Sequence, residues 1–173
     1  MRKILVWLAM ATLIAGLGLI SPNASAATPY CGIHWGSTDK SSPAMVTSPI
    51  TSVRSGQHPC FDRIVVDLAG PAAGYLVRYV PEVTQDGSGF PVPLRGGAYL
   101  QMIVRAPGYD LPRSNELVNV TGYRTFRQVA SAGSFEGQTT LGVGVRARLP
   151  FRVFTLDGPG NGSRVVLDVA HLW

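Results

Sequence analysis

Lysine is nearly missing from this sequence: Lys3 and Lys40 stand against 13 arginines in 173 residues. Positive charge is therefore carried almost wholly by guanidinium groups, whose planar fork meets carboxylate and phosphate bidentately. The grammar of an active site is missing as well. No serine sits in a Gly-x-Ser-x-Gly elbow, and Gly133-Ser134-Phe135-Glu136-Gly137 places its serine wrongly for one. There is no His-Glu-x-x-His and no phosphate-cradling glycine loop. His34 and His58 flank the cysteines and His171 lies near the C-terminus, positions that suit structural or solvated side chains. The carboxylates Asp67 and Asp168 read as structural strand residues. No catalytic residue, metal or cofactor is expected, and without a nucleic-acid-binding signature no nucleic acid is expected as partner.

What is present begins with an address. Arg2 and Lys3 precede an uncharged apolar run from Ile4 to Ile20, and Ala24-Ser25-Ala26 offers small residues for cleavage. Residues 1–26 read as a signal peptide, so the mature chain is expected to be secreted or cell-wall associated. Gly16, Gly18 and Pro22 weaken the run as a spanning helix, so no stable membrane span is expected after cleavage. Without Arg2 and Lys3, 13 basic residues remain against 10 acidic ones. Between Thr121 and Arg164 there are six arginines but only Glu136 and Asp157, a candidate surface for an anionic partner, unless these arginines merely solvate sheet faces.

Cys31 and Cys60 are the only cysteines, and an even count in an exported chain reads as a disulfide. The alternative is a zinc site from Cys31-x-x-His34 and His58-x-Cys60, whose second spacing is too tight for the usual pattern. Residues 27–49 are rich in Ser, Thr and Pro and are expected to form a low-order arm, tied back by the bridge.

From 50 to 173 no helical period emerges. Short alternating apolar runs recur instead, near 50–54, 61–69, 75–80, 98–105, 123–131, 138–148, 151–156 and 163–170, separated by Gly, Pro and Asp. About eight short strands predict an all-β sandwich, with 106–122 as its one long connection. Arg63-Ile-Val-Val-Asp67-Leu68 is echoed by Arg164-Val-Val-Leu-Asp168-Val169, as two strands related by pseudo-symmetry would be.

Candidate ligand-binding residues come from the basic half: Arg124, Arg127, Arg146, Arg148 and Arg152. Strand alternation over 138–149 puts Leu141, Val143, Val145, Ala147 and Leu149 in the core and Gly142, Gly144, Arg146 and Arg148 on the other face. That face would be a low trough leading to two arginines, suited to a glycan or an extended peptide; a bulge or strong twist explains the glycines equally well. Tyr123 and Phe126 beside arginines would suit sugar stacking, although Phe126 fits the core better. Glu136, Gln138, Thr139 and Thr140 form a polar cluster that either meets a ligand or serves the turn.

Taken together, Cys60-Phe-Asp-Arg-Ile-Val-Val-Asp-Leu68, Gly122-Tyr-Arg-Thr-Phe-Arg-Gln-Val129, Gly133-Ser-Phe-Glu-Gly-Gln-Thr-Thr-Leu141, Gly144-Val-Arg-Ala-Arg-Leu-Pro-Phe-Arg-Val-Phe154 and Ser163-Arg-Val-Val-Leu-Asp-Val-Ala-His171 resemble the AMIN-like exported proteins of actinobacteria. The resemblance covers about residues 50–173 and implies a β-sandwich related to the AMIN domain, which targets cell-wall amidases and pilus secretins to peptidoglycan. With no catalytic domain expected after it, the resemblance implies a non-catalytic domain that binds peptidoglycan or another anionic wall polymer. The alternative is a protein-interaction module that takes an envelope partner by strand addition.

Overall fold

The computed structural model describes residues 28–173, so the expected signal peptide lies outside the described residues. Among the described residues nine strands form: β1 (Lys40–Ser42), β2 (Ile50–Gln57), β3 (Phe61–Leu68), β4 (Tyr75–Val80), β5 (Ala98–Val104), β6 (Phe126–Phe135), β7 (Gln138–Val145), β8 (Phe151–Asp157) and β9 (Ser163–Ala170). They make two antiparallel sheets, a five-stranded one in the order β1-β4-β5-β7-β6 and a four-stranded one in the order β2-β3-β9-β8. The all-β sandwich is present. None of the described helices is long and apolar enough to cross a membrane.

Period-two alternation sets the core. Ile64, Val66 and Leu68 of β3 and Val165, Leu167 and Val169 of β9 meet Leu100, Met102 and Val104 of β5 and Leu141, Val143 and Val145 of β7, all buried. Phe126 and Phe151 are the largest side chains enclosed there, so Phe126 is core rather than a sugar platform. Glu136 and Gly137 turn β6 into β7, both with positive φ. Thr139 and Thr140 serve the interior, donating to the Ala106 carbonyl and to Asp86.

Three features depart from the sequence reading. The arm is not low-order throughout: β1 pairs with β4, and Gly36 bridges Phe151. Residues 105–125 are not the one long connection, because 81–97 form another between β4 and β5. That second connection lies on the outer face of the five-stranded sheet, where Val83 and Val92 pack with Ala130 and Ala132 in a small second core.

Cys31 and Cys60 are bonded, as expected, and the bridge fastens the arm to the β2–β3 turn. In the loop-entropy picture a closure over 29 positions contributes about 3.5 kcal/mol. Changing both cysteines to serine should lower stability by about that amount in urea unfolding, and alkylation of the unreduced parent should label neither thiol.

Candidate functional site

The glycine trough does not exist as an open surface. An added Cβ at Gly144 would lie 1.9 Å from the Arg95 carbonyl oxygen, and one at Gly142 would lie 2.9 Å from Leu94 Cδ1. The chain's own residues 94 and 95 fill the space. Gln128 holds them there, accepting from the Arg95 amide at 2.7 Å and donating to the Asn115 carbonyl at 2.7 Å.

The five arginines read from the sequence do not form one face. Arg146 and Arg148 lie beyond the end of β7, where strand alternation no longer applies. Arg146 donates to the His171 carbonyl. Arg148 donates to the Ser37 carbonyl at 3.3 Å and covers the Tyr79 ring at 4.7 Å. Arg127 donates to the carbonyls of Tyr123 and Phe126 at 3.1 and 2.9 Å, bracing the approach to β6. Arg124 is exposed in that approach. Only Arg152 joins other guanidiniums on a common surface.

That surface is the outer face of the four-stranded sheet. On β3, Arg63, Val65 and Asp67 point outward; on β9, Arg164, Val166 and Asp168 do. The sequence echo is a direct antiparallel pairing in which Arg63 faces Asp168, Val65 faces Val166 and Asp67 faces Arg164. Flanking strands add Ser52 and Arg54 from β2, and Arg152, Phe154 and Leu156 from β8. Four guanidiniums thus share one face with two carboxylates, leaving an excess of positive charge.

Asp168 is fully buried and takes Arg63 bidentately, at 2.6 and 2.9 Å, and Arg152 Nε at 2.8 Å. Such fork pairs are among the stronger charge-assisted contacts. The same two guanidiniums lie over aromatic rings, Arg63 at 5.1 Å from Phe61 and Arg152 at 5.1 Å from Phe154 and 5.5 Å from Trp35. Trp35 comes from the arm, next to the disulfide, and its Nε1 donates to the Tyr30 carbonyl at 2.9 Å. At the other end Asp67 accepts from Ser52 at 2.7 Å and from Arg54 Nε and Nη2 at 2.7 and 2.9 Å. The Arg54 hydrogen bond holds the Asp67 carboxyl below its ordinary range against the opposing effect of burial. Any stability from this lowered pKa is present above the unfolded value near 4 and is lost as pH falls through the folded one.

Between these ends lies a shallow cleft of about 250 Å³, lined by Arg54, Gly56, Arg63, Val65, Arg164 and Val166 among others. Its chemistry is an apolar floor with a cationic rim. Sequence reasoning missed Arg54 and Arg63 and counted Arg164 only within the basic half. The Arg63–Asp67 and Arg164–Asp168 echo was the available signal, since antiparallel pairing puts each arginine opposite the other strand's aspartate.

A family model for the AMIN-like domain matches residues 48–171. No curated protein and no solved structure matches the chain. The family and the disulfide are consistent with an extracytoplasmic, envelope-related domain. The family match begins just before β2, ends just after β9 and covers well over half of the chain, which therefore belongs to the AMIN-like domain family.

Proposed function

We propose that this domain is a non-catalytic, exported binding module that holds peptidoglycan or another anionic cell-wall polymer on the outer face of its four-stranded sheet. The observation that carries the reading is the gathering of Arg54, Arg63, Arg152 and Arg164 with Trp35, Phe61 and Phe154 around only two carboxylates. Guanidinium forks suit carboxylate and phosphate, and aromatic faces suit sugar rings. Such contacts are screened over about 8 Å at physiological salt, so binding should weaken as salt is added.

Strand addition has less to build on. β1 is three residues long, β8 is bridged at Phe151 to Gly36, and the Val153 carbonyl of β8 accepts from Tyr75 at 3.2 Å. On β2, Ser55 and Gln57 bond the carbonyls of Asn119 and Gly122.

Co-sedimentation of the mature protein with purified insoluble wall tests the reading. Arg54→Gln combined with Arg152→Gln should weaken binding about tenfold or more at low salt, a loss of about 1.4 kcal/mol or more. Arg146→Ala with Arg148→Ala, off this face, should leave it unchanged. Binding indifferent to salt and to the first pair, or release of soluble wall fragments by the protein alone, would overturn the proposal.

A further inference from the structure

The two carboxylates of the face are treated differently. By strand register alone, Arg63 opposite Asp168 and Arg164 opposite Asp67 are equivalent. Arg63 grips its partner with both nitrogens. Arg164 does not, because Ser52 and Arg54 of β2 occupy the Asp67 oxygens. Instead its Nη2 donates to the Asp157 carbonyl at 2.8 Å, and its Nε is buried with no hydrogen-bond partner. Among the described residues Arg164 makes no ion pair. Arg164 feels the Asp67 carboxylate only through space, without a hydrogen bond to it, and an orphaned buried donor is costly. An anion meeting the part of the guanidinium that lines the cleft would give it the hydrogen-bonded negative partner it lacks.

The cleft beside Arg164 limits what that anion can be. Val65 and Val166, paired across β3 and β9, are buried beneath the cleft, and the exposed Leu156 of β8 stands directly across from Arg164 as its apolar wall. Arg54 and Arg164 flank Asp67, so this end carries one net positive charge. A single negative charge balances it. A phosphate dianion would be left in excess beside Asp67, and a bare polar anion would leave the exposed Leu156 side chain uncovered. The fit is to one carboxylate with a small aliphatic group next to it.

We propose that this cleft is a subsite for a carboxylate carried on a short aliphatic stem, with the carboxylate on Arg164 and Arg54 and the stem against Leu156. The proposal rests on the wall-binding reading and narrows it to chain ends or side groups bearing such a carboxylate.

The test uses N-acetyl-alanyl-alanine, its C-terminal amide and inorganic phosphate as probes in an NMR titration of the mature protein at low salt. The free acid should move the backbone amides of Arg54, Val65, Arg164 and Val166 and bind about tenfold or more tightly than the amide or phosphate. Arg164→Gln should abolish the preference for the acid. Leu156→Asp, which supplies Arg164 with an internal carboxylate, should do the same from a partly exposed site and keeps the test open if the arginine variant folds poorly. Equal binding of acid and amide, phosphate binding as tight as the acid, or an unaltered response in both variants would overturn the assignment. Wall binding without binding of the acid removes the subsite and leaves the wider reading standing. Binding of the acid without wall binding keeps the subsite and removes the wider reading.

Discussion

Asp62→Ala should lower the stability of the fold by about 3–5 kcal/mol, the range for stripping one partner from a buried charged network. Asp62 is fully buried at the start of β3. Its Oδ2 accepts the backbone amides of Thr125 and Phe126 at 2.6 and 3.1 Å, and its Oδ1 lies 3.0 Å from His171 Nε2. The other imidazole nitrogen lies 3.2 Å from the Pro59 carbonyl, so both ring nitrogens of His171 face acceptors. One carboxylate therefore fastens the entrance of β6, the exit of β9 and the β2–β3 turn. Alanine leaves two buried amides and an imidazole without their partner, each a desolvated donor. The urea midpoint should fall without a change in slope. A loss below about 1 kcal/mol would mean that water replaces the carboxylate and that the network is not what closes this end.

Gly144→Ala should be comparably severe, about 3 kcal/mol or more, beyond the usual range for overpacking because the obstacle is backbone. The added methyl would meet the Arg95 carbonyl oxygen at 1.9 Å, and the Arg95 main chain can move only by lifting off the sheet. Lifting it breaks the Gln128 bond to the Arg95 amide and uncovers the small core around Val83, Val92, Ala130 and Ala132. Gly56→Ala is the control. Its added methyl meets nothing closer than His58 Nε2 at 3.9 Å, and the cost should stay under about 1 kcal/mol. Thermal unfolding of the two variants side by side checks both expectations. Similar midpoints would show that residues 94–97 are not fixed on the sheet.

Gly144 also marks where reading the sequence stops being sufficient. The alternation through Leu141, Val143 and Val145 was legible, because period two and apolar content are local properties. A glycine on the opposite face records only that no side chain fits, and the identity of the covering segment, 94–95, depends on a connection that returns across the sheet. The same locality misplaced Arg146 and Arg148, since extrapolating alternation past Val145 assumes a strand that has ended. The disulfide was legible from compartment logic alone. The arginine face was half-legible: the residues of Arg63-x-Val65-x-Asp67 and Arg164-x-Val166-x-Asp168 were seen as an echo, but only the pairing of β3 with β9 turns an echo into ion pairs. Arg54 and Arg152 enter from flanking strands, which no local pattern announces.

The central position of the β3–β9 pair has a consequence in time. Arg63 and Asp168 lie 105 positions apart in the chain yet share a bidentate contact in the middle of their sheet. A polypeptide threaded N-terminus first through a narrow passage cannot close that pair until its last strand emerges. Up to that moment β2 and β3 form at most a lone hairpin, which is marginal in water. Pairing at such sequence distance is also intrinsically slow. The architecture therefore delays its own completion, leaving the chain pliable until β9 is available and committing it to shape only then.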